Sequence, residues 1–515
     1  MTRSSLARDT VFNTLSFSLR TVGILIATVW VARSLGPENQ GRFGFAHWLA
    51  AILSELSLWG LGFASARFVA RAMGAGDTAR ACEAVAVATR WLLMSLFFVG
   101  AVVLPLAWFH DGELRGPLLA AVPLLITLTL YQWRIGVAWG LRRFDIALAG
   151  HAVFFSTLMP ALYLALGRSE PVLAALIAFA GSRGLQTAVV WFWTSRALQR
   201  RTVEAAARAP TAAPRPPLVP LMRSYAIQMA LLTFFGALLW ESSELPLLRM
   251  ATDDKQVGIY TVAFAIAGFF LRVPAVLALV LVPAAAELDG SDANPEEIGA
   301  MFRRAARLLT LLVAAPVAVV VVAAPTIVEA LYGSNYAAAT ELVRLLAVPL
   351  LLNVTAAAGA QTLVGSGRQQ RLLIVLLLAL SLKVLFCLLL VPTLETRGTA
   401  LAVGLTFLVS LVTVTWTAAR TVPATLLPVD SRWLAQAGVA VTAALSAALC
   451  SWWLETSNVW VQTAGIVLGA GLGALVAALL LRPLATLDRD VLKELLDSRG
   501  QRWLSAAVCR ISPRS

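Results

Sequence analysis

Seven basic residues lie inside long apolar stretches, where a charge is costly: Arg20, Arg90, Arg134, Arg183, Arg272, Arg344 and Lys383. An ionisable side chain at mid-bilayer costs about 2.5–3.5 kcal/mol on insertion scales, so such a group normally faces a cavity or a partner. Arg90, Arg134 and Arg344 fall near the ends of their stretches, within reach of the interface, and Glu341 stands one helical turn before Arg344. Arg20, Arg183, Arg272 and Lys383 lie deeper. Arg20 belongs to a stripe with Asn13, Ser16, Gly23 and Ala27, spaced as one helix face that is expected to meet water or substrate. The acids within the spans are fewer: Glu55, Glu241 and Glu244. If these acids pair with the deep bases, the product is a structural ion-pair network. If the bases outnumber them, the cavity is electropositive and suits an anion. The same three acids are candidates for coupling to a proton or cation gradient.

Other chemistry finds little support. Gly469, Gly471 and Ala474 have the spacing of a dinucleotide-binding loop, but they lie inside an apolar helix rather than after a strand. Gly465, Gly469 and Gly473 recur every four residues, a small-residue face for close helix packing. His47, His110 and His151 each fall near an expected membrane boundary without metal-ligand spacing, and Cys82, Cys387, Cys450 and Cys509 form no C-x-x-C pair. No Walker A loop, Ser-His-Asp order or H-E-x-x-H occurs, and the outer loops are too short to carry the catalytic groups of a glycan-assembling enzyme. No enzyme, cofactor or metal is expected.

The elements that hold these residues follow from composition. Of 515 residues, 59% are hydrophobic and 13% charged, and the mean hydropathy is +0.79. Apolar runs long enough to cross about 30 Å of hydrocarbon recur along the chain, so the fold class is an all-α polytopic membrane protein. Fourteen helices are expected, at roughly 10–34, 41–66, 82–109, 117–141, 146–167, 171–196, 222–249, 256–286, 303–331, 338–365, 370–393, 397–420, 432–454 and 459–482. The first run is too long for a signal-peptide core and has Arg20 near its centre, which makes it a retained span. A lobe of six helices, 1–196, leads through a Pro- and Arg-containing linker, 197–221, to a second lobe, 222–421. An extra helix pair occupies 422–482, and 483–515 reads as an interfacial amphipathic tail.

Of 41 Lys and Arg residues, 27 fall on the side of the termini and 7 on the other, which places both termini in the cytoplasm. Much of the net charge of +13 is therefore topology and implies no nucleic acid. A short pattern also recurs: Gly41-x-Phe43-x-x-Ala46 and Gly258-x-Tyr260-x-x-Ala263 each follow a polar, acidic tip. With six helices between the first and seventh spans, both lobes enter the membrane in the same direction, as in a parallel repeat whose lobes rock about a site between them. The glycine is expected to allow a tight turn and close helix approach, and the aromatic to anchor at the interface.

ARSLGPENQGRF at 32–43, GLGFASARFVA at 60–70, QVGIYTVAF at 256–264 and LYGSNYAAATELVRLLAVPLLLN at 331–353, with QTLVGSGRQQR at 361–371, carry a family resemblance. The chain resembles the Wzx-type polysaccharide flippases of the multidrug/oligosaccharidyl-lipid/polysaccharide exporter superfamily. That resemblance implies two six-helix bundles in a V around a central cavity. It also implies transfer of an undecaprenyl-diphosphate-linked oligosaccharide across a bacterial inner membrane, together with other polysaccharide-assembly proteins. Arg20, Arg183, Arg272 and Lys383 would then receive the diphosphate, for which a planar guanidinium is suited. Lys383 stands where the family often has Asn, and Glu244 where many relatives have Asp. Rival readings are a cation-coupled drug antiporter of the same superfamily, which should favour an acidic, aromatic cavity, a membrane enzyme of glycan assembly, and a scaffold for a polysaccharide machine.

Overall fold

The computed structural model describes residues 3–110, 112–206, 217–278, 295–365, 368–421, 431–453 and 459–481. The middle of the expected linker, the end of the helix expected to reach 286 and the tail at 483–515 lie outside these. Among the described residues every regular element is helical, as expected for a chain whose backbone must satisfy itself in lipid. The helices are α1 (Arg3–Leu58), α2 (Leu61–Gly74), α3 (Thr78–Trp108), α4 (Arg115–Gly140), α5 (Phe144–Leu166), α6 (Pro171–Ala206), α7 (Leu218–Trp240), α8 (Leu245–Ala251), α9 (Asp254–Ala278), α10 (Pro295–Tyr332), α11 (Ala339–Gly365), α12 (Gln369–Thr421), α13 (Ser431–Trp453) and α14 (Val459–Leu481). Eight of the described helices are long and apolar enough to cross a membrane. Their apolar parts in α1 and α12 run to 44 and 50 residues, enough for two passes each at about 20 residues per pass. The breaks that divide them fall at Gly36, with φ 73°, and Glu395, with φ 50°, where the sequence predicts connections.

Two expected helices are divided. The helix expected over 41–66 stops at Leu58, because Trp59 and Gly60 take φ values of 47° and 65°. It restarts as α2, which carries Arg67 and Arg71, expected in a loop, on into a helix. A Cβ at Gly60 would lie 2.5 Å from the Ala226 carbonyl oxygen and 2.6 Å from Ala230 N, so α7 passes directly over it. Gly60→Ala is expected to lower stability by about 2 kcal/mol or more, from left-handed backbone strain plus overpacking. An unchanged melting temperature of the purified variant would refute this. The helix expected over 222–249 is likewise split by a turn at 241–244, where Ser242 has φ 51°. Glu241 and Glu244 therefore sit at a turn and share no continuous helix face.

The chain divides into two compact units, Met1–Arg249 with Asp253–Gly258, and Met250–Thr252 with Ile259–Ser515. In the first, α6 packs along α4 and α5, α1 packs on α4, α5 and α6, and α2 packs on α3, α4 and α7. Its core joins Phe154, Leu158 and Leu162 of α5 to Leu124 and Leu125 of α4 and Phe179 of α6. In the second, α11 lies between α10 and α12, and α13 and α14 pack on each other and on α10. Gly469 and Gly473 leave room for the Cys450 and Ser446 side chains of α13, the close packing expected of the small-residue face.

Neither glycine of the repeated pattern turns the chain, since both lie inside helices; the chain turns at Gly36 before the first copy and at 252–253 before the second. Close approach is what they provide. A Cβ at Gly41 would overlap the Asp254 carbonyl oxygen, and one at Gly258 would overlap that of Pro37. Each carbonyl belongs to the residue four positions before the other copy's glycine, so the contact is reciprocal. Phe43 and Tyr260, expected as interfacial anchors, are instead core residues, 3% and 0% exposed. Phe43 packs on Phe179 with ring centroids 5.6 Å apart. Around the contact, Arg42 donates to Asp254 at 3.0 Å and Glu38 at 2.7 Å and pairs with Glu113, while Arg249 meets Asp254 at 2.7 Å.

Candidate functional site

Four helices of the first unit bring polar side chains to one level: Ser16, Arg20 and Glu55 of α1, Tyr131 and Gln132 of α4, His151 of α5, and Arg183 and Gln186 of α6. Small residues permit the convergence. A Cβ at Gly23 would meet the Phe155 ring at 2.5 Å, and one at Gly150 would meet Val190 Cγ2 at 2.7 Å, so α1 and α6 both close on α5 beside His151. His151 is buried, its Nδ1 2.9 Å from Ser16 Oγ and its Nε2 2.8 Å from Tyr131 Oη. A singly protonated imidazole has one donor and one acceptor, so one hydroxyl donates to the ring and the other accepts from it. With both nitrogens engaged, the ring is held as part of the wall and offers no nitrogen to a metal. The sequence placed this histidine near a boundary, but it lies two turns into α5 and its ring bonds to α1 and α4.

Arg183 is buried, its guanidinium 3.9 Å from the Phe154 ring centroid and 5.1 Å from that of Tyr131. Aromatic faces suit this cation, which is planar and weakly hydrated. It donates to the neutral Gln186 Oε1 at 2.5 Å, and its Nε is buried without a hydrogen-bond partner. No carboxylate contacts it among the described residues. Arg20 is exposed on α1 and within electrostatic reach of Arg183, His151 and Glu55. Glu55 hydrogen-bonds Gln132 and also feels Glu241. The acids thus gather on the Arg20 side, leaving Arg183 a cation held by neutral groups.

The stripe expected to face water or substrate largely packs instead: Ser16, Gly23 and Ala27 are buried, while Asn13 and Arg20 are exposed. Glu241 is exposed and its carbonyl accepts from Trp48 Nε1 at 2.6 Å, whereas Glu244 is buried. Arg272 and Lys383 belong to the second unit. Lys383 is buried within α12, and Arg272 lies on α9 with its side chain outside the described residues.

Arg134 departs from expectation. Rather than reaching the interface it is 3% exposed, and donates to Thr194 Oγ1 at 2.7 Å, to Ser195 Oγ and to the Trp191 carbonyl at 3.4 Å. Trp191 and Trp133 cover it, with centroids 4.5 Å and 5.3 Å away. The long α4–α6 contact supplies hydroxyls where the interface would have supplied water. The signal was Thr194–Ser195 directly after the aromatic run WFW at 191–193. Arg344 is exposed as expected, donating to the Val321 carbonyl at 3.0 Å, but Glu341 pairs with Arg397 at 2.8 Å instead. In the α4–α5 connection, Arg143 is clamped by Asp145, a hydrogen bond that holds its guanidinium above the ordinary arginine range.

No protein-family model matches the chain, and no curated protein sequence matches it. Solved structures do. A multidrug resistance MATE family transporter of the MOP superfamily, inward-facing, superposes with a TM-score of 0.63 at 16% identity, over 80% of this chain and 98% of that one. The lipid II flippase MurJ, inward closed, gives 0.63 at 11% identity over 91% and 98%. A MOP superfamily transporter from Pyrococcus furiosus, for which reverse polarity of the binding pocket suggests a different function, gives 0.56 at 18% identity over 82% and 96%. At such identities the likeness establishes the fold alone.

Proposed function

From a multi-pass membrane chain built on the fold of MOP-superfamily transporters, we infer a flippase. It carries an undecaprenyl-diphosphate-linked oligosaccharide from the cytoplasmic to the outer leaflet of a bacterial inner membrane, by alternating access, for surface polysaccharide assembly. The observation that carries this reading is Arg183: a buried guanidinium with no carboxylate in contact and an Nε without a partner. Buried polar groups are almost always satisfied, and a diphosphate offers both the missing acceptor and the missing negative charge. Arg20 stands close enough to share it. In this reading Arg272 and Lys383 add positive charge along the path in the second lobe, the lipid tail stays in the bilayer, and the linker at 197–221 lets the lobes move. Both termini face the cytoplasm, where the charge bias puts them. Transfer breaks no bond, so the reading requires neither a catalytic group nor a cofactor. The released glycan passes to other polysaccharide-assembly proteins.

The test is made in a strain lacking the protein. Completed lipid-linked glycan should accumulate on the cytoplasmic membrane face and clear when the gene is restored. Accumulation on the outer face, or none, would overturn the reading. A second reading, a cation-coupled drug antiporter, is favoured by Glu55, a half-buried acid bonded to a neutral amide. Loss of cationic-drug efflux from the same strain, with glycan unaffected, would select it. Coupling has its own prediction: Glu55→Gln should remove most of the dependence of transport on an imposed pH gradient. Equal transport by variant and wild type across a range of gradients would exclude Glu55 as the coupling acid.

A further inference from the structure

On the outer face of α6, away from the Arg183 cluster, Ala188, Trp191, Phe192, Ser195, Arg196 and Gln199 line an open groove of about 570 Å³. Its polarity changes along the helix, with apolar lining at 188–192 and hydrogen-bonding lining at 195–199. At 1.5 Å per residue the groove runs about 16 Å along the axis, the depth from a headgroup into the upper acyl chain. The surrounding face meets lipid, since Ile177, Leu185, Trp191, Phe192 and Trp193 are exposed apolar side chains.

Charge gathers at the polar end. Arg134, buried behind it, is held only by neutral acceptors, among them Ser195 Oγ. Because Ser195 accepts from that guanidinium, its own hydroxyl hydrogen remains free to donate, strengthened by the charge behind it. At the rim the Arg196 guanidinium stands 4.8 Å from the Phe192 ring centroid, and no carboxylate contacts it among the described residues. Gln199 adds an amide. Arg200 and Arg201 follow on the linker side, which the charge count assigns to the cytoplasm.

We propose that this groove holds one acidic phospholipid of the cytoplasmic leaflet, its phosphate between Ser195, Arg196 and Gln199 and an acyl chain along Ala188 and Phe192. Basic pockets on helix faces at the cytoplasmic side suit anionic headgroups, and the apolar half of the groove would be wasted on a soluble anion. The site is separate from the transport cluster and is read by lipid retention, so it stands or falls independently of the flippase assignment.

Full-length protein in detergent would be mixed with phosphatidylglycerol or phosphatidylcholine and weighed by native mass spectrometry. One phosphatidylglycerol should be retained at least about fivefold more tightly than phosphatidylcholine. Arg196→Gln should remove about fivefold of that affinity, near the value of one basic residue against an anionic surface. Its melting temperature in lipid-free detergent should be unchanged, because the residue touches no buried group. Ser195→Ala should weaken retention in the same direction. The proposal is overturned if wild type shows no preference between the two lipids, if Arg196→Gln retains phosphatidylglycerol as wild type does, or if undecaprenyl diphosphate displaces it at equal concentration.

Discussion

Alanine at Gly41 or at Gly258 should each destabilise the protein by about 3 kcal/mol or more, the upper range for overpacking against a rigid neighbour. The neighbour in each case is a backbone carbonyl, of Asp254 or of Pro37, which cannot rotate away as a side chain would. Since both changes push the same two helical stretches apart, the second should add little to the first, and the double variant should cost clearly less than the sum. Thermal inactivation of the purified single and double variants measures this directly. Strict additivity, or either alanine tolerated without effect, would show that the two glycines do not share one contact. Arg42→Ala provides the contrast: its partners Glu38 and Glu113 are largely exposed, and its inner partner Asp254 keeps Arg249, so its loss should cost about 1–2 kcal/mol, less than either alanine.

Arg183→Ala should reduce transport about ten- to a hundredfold at matched protein level, the equivalent of losing one or two charge-assisted hydrogen bonds to substrate phosphate. Arg183→Lys should recover part of the loss, because it restores the charge but neither the planar stack on Phe154 nor the second donor. A purely structural Arg183 would give a different pattern, in which Ala and Lys lower the melting temperature alike and transport follows folded protein. Arg20→Ala should act in the same direction with a smaller effect, since Arg20 is exposed and shares its field with Glu55. Wild-type transport by Arg183→Ala at normal abundance would end the cationic-site reading.

Hydropathy made the helical class and most span positions legible, because a run of about 20 apolar residues has few alternatives. Element ends were less so: the breaks at Trp59–Gly60 and at 241–244 depend on which helix crosses there, and a crossing partner leaves no mark on the local sequence. Arg20 and Arg183 were legible from charge alone. Tyr131, His151 and Gln186 were missed, because a histidine carries no signal of which hydroxyls will meet its ring, and α1 and α4 supply them from far along the chain. Arg134 was misjudged for the same reason: its distance from a span end says nothing about Thr194 and Ser195 on a neighbouring helix. The repeated Gly-x-aromatic-x-x-Ala was found, but its aromatics were assigned to the interface, whereas Phe43 packs on Phe179 of α6, a partner far along the chain that leaves no local signal.

A surface that meets its own copy, residue i against j and j against i, is the signature of two identical chains joined by a two-fold axis. The Gly41–Asp254 and Gly258–Pro37 approaches have that form, although both now lie in one polypeptide. The contact has the form of a two-fold self-association written within one polypeptide. Within one polypeptide the two sides need not be alike, and they are not: Pro37 corresponds to Asp254, and Phe43 to Tyr260. Only at the two glycines does the geometry demand the same residue on both sides, because a methyl group on either one collides with the opposing backbone whatever the side chains around it.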